Sequence, residues 1–214
     1  MLSAARRERY MRCTDQKNNG LRQHFNEQER YLFFKSVNEK SHFLIFKIME
    51  QTNLRIGDAV KVKLQDINFN DHTLTCFVTK WKRTQRYSLP ANLYQELDTY
   101  IRANTQQIGS CGGFLFPGEK GGHLEPNYMR KVFHGLTLKT GLNRIYGAAK
   151  DGRQLWQFNT TSLRKTGIMK VKEAVKDPFK LKAWTGHKSL KSLEYYVNES
   201  RDDVNQKLDY IFDD

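Results

Sequence analysis

A chain of 214 residues with 36 Lys plus Arg against 23 Asp plus Glu carries a formal net charge of +13, which makes a polyanion, nucleic acid before membrane, the expected partner class. Its apolar share of 38% suffices for one core, yet no apolar run approaches the roughly 20 residues a bilayer-spanning helix needs. The opening MLSAARRERYMR has basic residues with no apolar stretch behind them, so a signal peptide is not expected and the protein is read as cytoplasmic. Cys13, Cys76 and Cys111, odd in number and far apart, argue against a disulfide framework, and no Cys/His pairing has metal-site spacing.

Taken in order, residues 1–23 are rich in arginine (Arg6, Arg7, Arg9, Arg12, Arg22) and poor in aliphatics; they are expected to form an arm or linker ahead of a folded domain over 24–214. Asn26 followed by Glu29 predicts a capped helix whose apolar stripe is Tyr31, Leu32, Phe34 and Val37. The run SHFLIFKIMEQ predicts a second, buried helix. Between Val62 and Pro90, the runs DINFN, TLTCFVT and RYSLP are rich in β-formers and are separated by the polar pair DH and the basic KWKRTQ, which predicts a three-stranded antiparallel sheet. An amphipathic helix over ANLYQELDTYIRAN follows Pro90, then a glycine-rich loop, GSCGGFLFPGEKGG, around a short apolar piece. EPNYMRKVFHGLTLKTG reads as a helix closing on Gly141, TSLRKTGIMKVKEAV as another, DPFKLKAWTGH as one opened by an Asp cap and a proline, and DDVNQKLDYIF as the closing tail. The predicted fold class is α+β, mainly helical, with one small sheet.

Breaking a phosphodiester without a metal ion needs a nucleophile, cations for the charge on the non-bridging oxygens, an acid for the departing oxygen, and groups that hold these in place. In TNLRIGDAVKVKLQDI, Arg55 follows the buried helix and offers a planar fork to two phosphate oxygens. Asp58, one helical turn on, fixes the guanidinium or the local backbone, unless the two are merely a structural pair. The hairpin TKWKRTQRYSLP gathers Lys80, Lys82, Arg83 and Arg86 around a β-turn, either as a groove-reaching tip or as a solvated one that binds phosphate without specificity. FNTTSLRKTGIMKV puts Arg164, with Lys165 beside it, near a helix start whose N–H groups and dipole favour an anion. WTGHKSLKSLEYYVN carries His187, Tyr195 and Tyr196, with 23 residues from Arg164 to His187 and 9 from His187 to Tyr196. Helical neighbours point about 100° apart, so only one of the two tyrosines faces a given phosphate. Singly, each segment has a bland alternative as cap or core packing; four in order on a basic chain carry more weight.

Together they resemble the tyrosine recombinases, the phage integrase family, over about residues 24–214. The first looks like that family's first arginine box, with Asn53 where glycine is common. The resemblance implies that a hairpin lysine is the general acid for the leaving 5′ oxygen, its pKa lowered by neighbouring cations; counting back from Pro90 selects Lys82, with Lys80 second. The third is similar to the family's His-x-x-Arg box, but Thr161 holds the histidine position with a hydroxyl that donates a hydrogen bond and does not titrate near neutrality. The fourth is similar to the Leu-Gly-His box and its nucleophile, and the spacing selects Tyr196.

The resemblance then implies a site-specific recombinase. Tyr196 would attack to leave a 3′-phosphotyrosine, Arg55, Arg164 and His187 would stabilise the transition state, and no cofactor or metal ion would take part. Double-stranded DNA is the implied partner, as a homo-tetramer on two sites with accessory DNA-bending proteins and no membrane; the C-terminal tail is where members dock onto a neighbour. Residues 1–23 are too short for the N-terminal core-binding domain many members carry, so the chain is expected to be a catalytic fragment or a compact member. A DNA-binding protein that has lost turnover, favoured by Thr161, and a relaxing enzyme resembling type IB topoisomerases stand as the alternatives.

Overall fold

Asn26 caps the first helix, α1 (Glu27–Lys35), in the reciprocal way its spacing from Glu29 predicts: the Asn26 side chain accepts from the Glu29 amide at 2.8 Å while the Glu29 carboxylate accepts from the Asn26 amide at 2.9 Å. A computed structural model describes residues 23–149, 151–186 and 189–193; Cys13, His187, Tyr195, Tyr196 and the closing tail lie outside the described residues. The stripe expected on α1 is rotated. Phe33 and Phe34 are buried, whereas Tyr31 and Leu32 are 62% and 46% exposed. Phe33 stacks into an aromatic cluster with Phe25, Phe46 and Phe133, so one wide ring inside outweighs the periodicity of the smaller candidates.

The second helix, α2 (Lys40–Thr52), is buried along Leu44, Ile45, Phe46, Ile48 and Met49, as its composition predicts. It stops at Asn53, whose φ of 61° and ψ of 21° are left-handed. This is why glycine suits the position and why asparagine is the side-chain-bearing residue that best replaces it. A short helix, α3 (Ile56–Ala59), follows, with Arg55 as its extended first cap.

The three-stranded sheet is present: β1 (Ile67–Asn68), β2 (Thr73–Val78) and β3 (Arg83–Ser88) pair antiparallel in the order β1-β2-β3. Its inner face contributes Leu74, Cys76, Val78 and Tyr87 to the core. Burial, with Asp66 and Asp58 nearby, pushes the Cys76 thiol up to about 12, so it stays protonated and behaves as a small core hydrophobe. Beyond the sheet run α4 (Ala91–Ala103), the short α5 (Thr105–Ser110) and α6 (Pro126–Lys139), the last opened by Pro126 and followed by Gly141 at φ 68°.

A second, two-stranded sheet, β4 (Ile145–Ala148) with β5 (Gln154–Trp156), corrects the expectation of a single one. It is short and bulged, carries Gly147, and has no clean alternation, so it left little periodic signal. Its base is closed by Asn143, which receives the Phe158 amide at 3.0 Å and donates to the Phe158 carbonyl at 3.0 Å. That clamp fixes the chain just ahead of α7 (Thr160–Val175).

The chain divides into two compact units, residues 1–167 and 168–214. The first holds the main core. In the second, Ile168, Leu181 and Leu193 form a small core of their own, with α8 (Pro178–Thr185) capped by Asp177 as its sequence predicts. Among the described residues, no helix is long and apolar enough to cross a membrane.

Candidate anion-binding active site

Four separate segments of the first unit meet around one open pocket of about 410 Å³. The end of α2 and the turn into α3 bring Arg55, Asp58 and Lys61; the hairpin turn brings Thr79 and Lys80; α6 brings Arg130; the first turns of α7 bring Thr160, Thr161 and Arg164. The two arginines that the family resemblance singled out, 109 positions apart, therefore line the same cavity.

Arg164 is 5% exposed, and its Nη1 donates to the Asn53 carbonyl at 2.6 Å. The left-handed Asn53 turn thus does two things: it releases the chain from α2 towards Arg55, and it offers the carbonyl that orients the second guanidinium. Asp58, 6% exposed, accepts from the Thr79 amide at 3.2 Å through Oδ1. Of the two roles the sequence left open for it, this contact serves the backbone, tying the base of the β2–β3 turn, and with it Lys80, to α3.

The helix approach beneath the pocket is unusually close. A Cβ placed on Gly167 would lie 1.8 Å from the Glu50 carbonyl oxygen, so only glycine lets α7 lie this near α2. Glu50 itself is buried and bound by Arg30, through Nε and, at 3.0 Å, through Nη2.

The hairpin residues separate into distinct environments. Lys80 lines the pocket; Lys82 is exposed at the left-handed position that closes the turn, φ 49°, and is not part of the lining. Arg83 opens β3 opposite Val78. Arg86 is not at the turn: it sits mid-strand opposite Thr75, and its guanidinium is held by Asp71 at 2.7 Å and Thr73 Oγ1 at 3.1 Å. Lys165 is not part of this lining; it is half-buried with its ammonium on Gln23 Oε1, and burial lowers its pKa.

The start of α7 differs from the free-amide picture. Thr161 donates its amide to Asn159 Oδ1 at 2.9 Å and Ser162 donates to the Asn159 carbonyl at 2.8 Å, so an anion there meets side chains rather than those amides. The pocket lining holds five cations, Arg55, Lys61, Lys80, Arg130 and Arg164, against the single carboxylate of Asp58. Like charges sharing one cavity repel one another, and a bound anion converts that repulsion into attraction. Arg130 belongs to no sequence motif, and Lys61 sits unremarked inside the first; their shared signal is only that each is an exposed cation next to a buried residue. Among the described residues, no group of three or more His, Cys, Asp or Glu stands ready to hold a metal ion.

The phage integrase family model matches residues 21–202. A putative integrase/recombinase, y4rB, of Sinorhizobium fredii is 22% identical over 170 residues, covering 75% of this chain and 52% of that protein. The chain spans about half the length of the curated relatives it matches. Among solved structures, XerH site-specific recombinase bound to difH in a pre-cleavage complex superposes with a TM-score of 0.67 at 18% identity, over 88% of this chain and 54% of that one. The Tn1549 transposon integrase in complex with a circular intermediate DNA gives 0.69 at 14% identity, over 88% and 66%. These structures share the catalytic-domain fold, mainly helical with a small antiparallel sheet.

Proposed function

Since the chain belongs to the phage integrase family, we propose that residues 24–214 are the catalytic domain of a site-specific DNA recombinase, with 1–23 as a basic arm. The observation that carries this reading is the convergence of Arg55, Arg164 and Lys80 on one cation-rich pocket. In the proposed reaction the Tyr196 phenol oxygen attacks the scissile phosphorus, the bond from phosphorus to the 5′ oxygen breaks, and the products are a 3′-phosphotyrosine and a 5′-hydroxyl. Arg55 and Arg164 donate to the non-bridging oxygens, and His187 donates there too or orients the phenol. The ester keeps the energy of the broken strand, so the partner's 5′-hydroxyl reverses the step with no cofactor or metal ion. Double-stranded DNA is the substrate, a tetramer on two sites the working assembly, and DNA-bending proteins its accessories.

The test is a duplex from the native locus nicked next to the cleavage point, so that the short leaving strand diffuses away and traps the adduct. A covalent band formed in the presence of chelator, with the nucleotide mapped to Tyr196 by peptide mass spectrometry, is the expected result. Tight binding without any adduct would overturn the enzyme reading in favour of a binding protein, the alternative Thr161 favours. Relaxation of supercoiled plasmid regardless of sequence would favour a topoisomerase.

The proton for the 5′ oxygen comes from the hairpin, and the pocket position favours Lys80 over the Lys82 that counting from Pro90 selects. Lys80→Ala is expected to slow adduct formation about 10²-fold. On a substrate whose leaving oxygen is replaced by sulfur, which departs without a proton, the defect should largely vanish. If Lys82→Ala shows this rescue pattern instead, the assignment goes back to Lys82.

A further inference from the structure

We infer that Arg130 is a further phosphate-contacting catalytic residue, which supplies from α6 the hydrogen bond that Thr161, standing in the usual histidine position, gives without charge. The inference rests on the recombinase reading above and extends it to a residue outside all four sequence motifs.

Three observations carry it. Arg130 and Thr161 line the same pocket as Arg55 and Arg164. The backbone under Arg130 is rigid: Met129 and Phe133 on either side are fully buried, and α6 packs against α3, the helix that Arg55 caps. The Arg130 side chain is also still available. Among the described residues no carboxylate pairs with it, and its hydrogen bond goes to the neutral Asn127 amide one turn earlier on α6. Of the five donors of a guanidinium, one is used to steer the group and the rest remain for an anion. Three other exposed arginines of the first unit, Arg86, Arg102 and Arg153, are each held by an aspartate. A guanidinium with no carboxylate partner, lining a cavity with four other cations, suits a cavity whose normal occupant is an anion.

Chemically, an imidazole at position 161 would donate one hydrogen bond to a non-bridging oxygen and gain strength as charge builds there. Arg130 does the same with a permanent charge that no accessible pH removes.

The experiment measures single-turnover adduct formation at saturating protein, together with the dissociation constant, on the nicked native-locus duplex. Arg130→Ala is expected to lower the saturating rate by about 10²-fold with the dissociation constant changed less than about threefold, and Arg130→Lys to fall between. On a duplex whose scissile phosphate carries a methyl group in place of one non-bridging oxygen, there is no charge to neutralise, and Arg130→Ala should cleave about as fast as the unaltered protein. Thr161→His placed in the Arg130→Ala background should recover a large part of the rate. A wild-type saturating rate in Arg130→Ala overturns the inference, and so does a defect confined to the dissociation constant or to site preference, which would make Arg130 a remote DNA contact. If the unaltered chain forms no adduct at all, the recombinase reading itself has failed and this inference falls with it. Arg130 is exposed, so the variants should keep the wild-type melting curve, and that curve is measured alongside.

Discussion

Arg164→Ala is expected to reduce adduct formation by at least about 10²-fold, and on this site by more than any single hairpin substitution. Arg164 is almost wholly buried, and its position comes from both ends: α7 fixes its backbone, while the Asn53 carbonyl at 2.6 Å fixes one arm of the guanidinium. A group held in this way needs no reorganisation when charge develops on the phosphate, which is where a donor contributes most. Two opposing terms act on stability. Truncation leaves the Asn53 carbonyl without this donor, at about 1–3 kcal/mol, but it also removes one cation from a crowded pocket. The net loss should be small, so the catalytic defect should appear in a protein that still melts near the normal temperature. Arg164→Lys separates charge from shape: the ammonium keeps the charge and has three donors, but all sit on one nitrogen, which does not reach Asn53 and a phosphate oxygen with the fixed spread of a planar fork. It should recover less than a tenth of the rate. Full activity in Arg164→Lys would show that the pocket supplies only bulk positive potential.

The parts of this molecule that were legible in its sequence are those set by local rules. The Asn26–Glu29 box, the proline and aspartate caps, the three strands around DH and KWKRTQ, and the glycine that ends α6 each need only a few neighbouring residues to be satisfied. What failed needed the tertiary structure. On α1, the expected stripe chose Tyr31 and Leu32, but the core wanted Phe33, because the aromatic cluster with Phe25, Phe46 and Phe133 is assembled from three other segments. The β4–β5 hairpin is held by Asn143 and Trp156 against α6 rather than by its own pattern, so it left no run to read. The same division holds at the site. Arg55 and Arg164 were found because the short segments around them resemble two of the family's boxes. The choice between Lys80 and Lys82 turns on a left-handed residue in the turn, and Arg130 and Lys61 enter only because four distant segments converge. His187 and Tyr196, the most distinctive part of the sequence pattern, lie outside the described residues, so their roles rest on the family and on the adduct experiment.

The convergence itself makes Gly167 the position where a single methyl group should do the most structural damage. At Gly167 the backbones of α7 and α2 come so near that an added Cβ would meet the Glu50 carbonyl oxygen at 1.8 Å and its carbon at 2.9 Å. Both atoms are main chain, so no side-chain rotation relieves the clash; the helices must part by more than about 1 Å, and close-packed interiors resist that. Glu50 is also the buried anchor of Arg30, so the displacement disturbs that ion pair as well. Gly167→Ala should therefore lose about 3 kcal/mol or more, a fall in melting temperature of roughly 6–12 °C for a domain of this size. The consequence for function follows from position. Arg164 lies one turn before Gly167 on α7, and Asn53 and Arg55 lie just beyond Glu50 at the end of α2. Prising these helices apart moves the two guanidinium groups relative to each other, and a displacement of about 1 Å in a preorganised site costs on the order of 10²-fold in rate. The matched control is Gly135→Ala on α6, where an added Cβ meets nothing within 4 Å. Freed of any clash, that substitution should stabilise the helix by about 0.5–1 kcal/mol and leave the adduct rate unchanged. Equal melting temperatures for the two alanine variants would mean that α2 and α7 do not approach as described, and the joint placement of Arg55 and Arg164 would lose its structural basis.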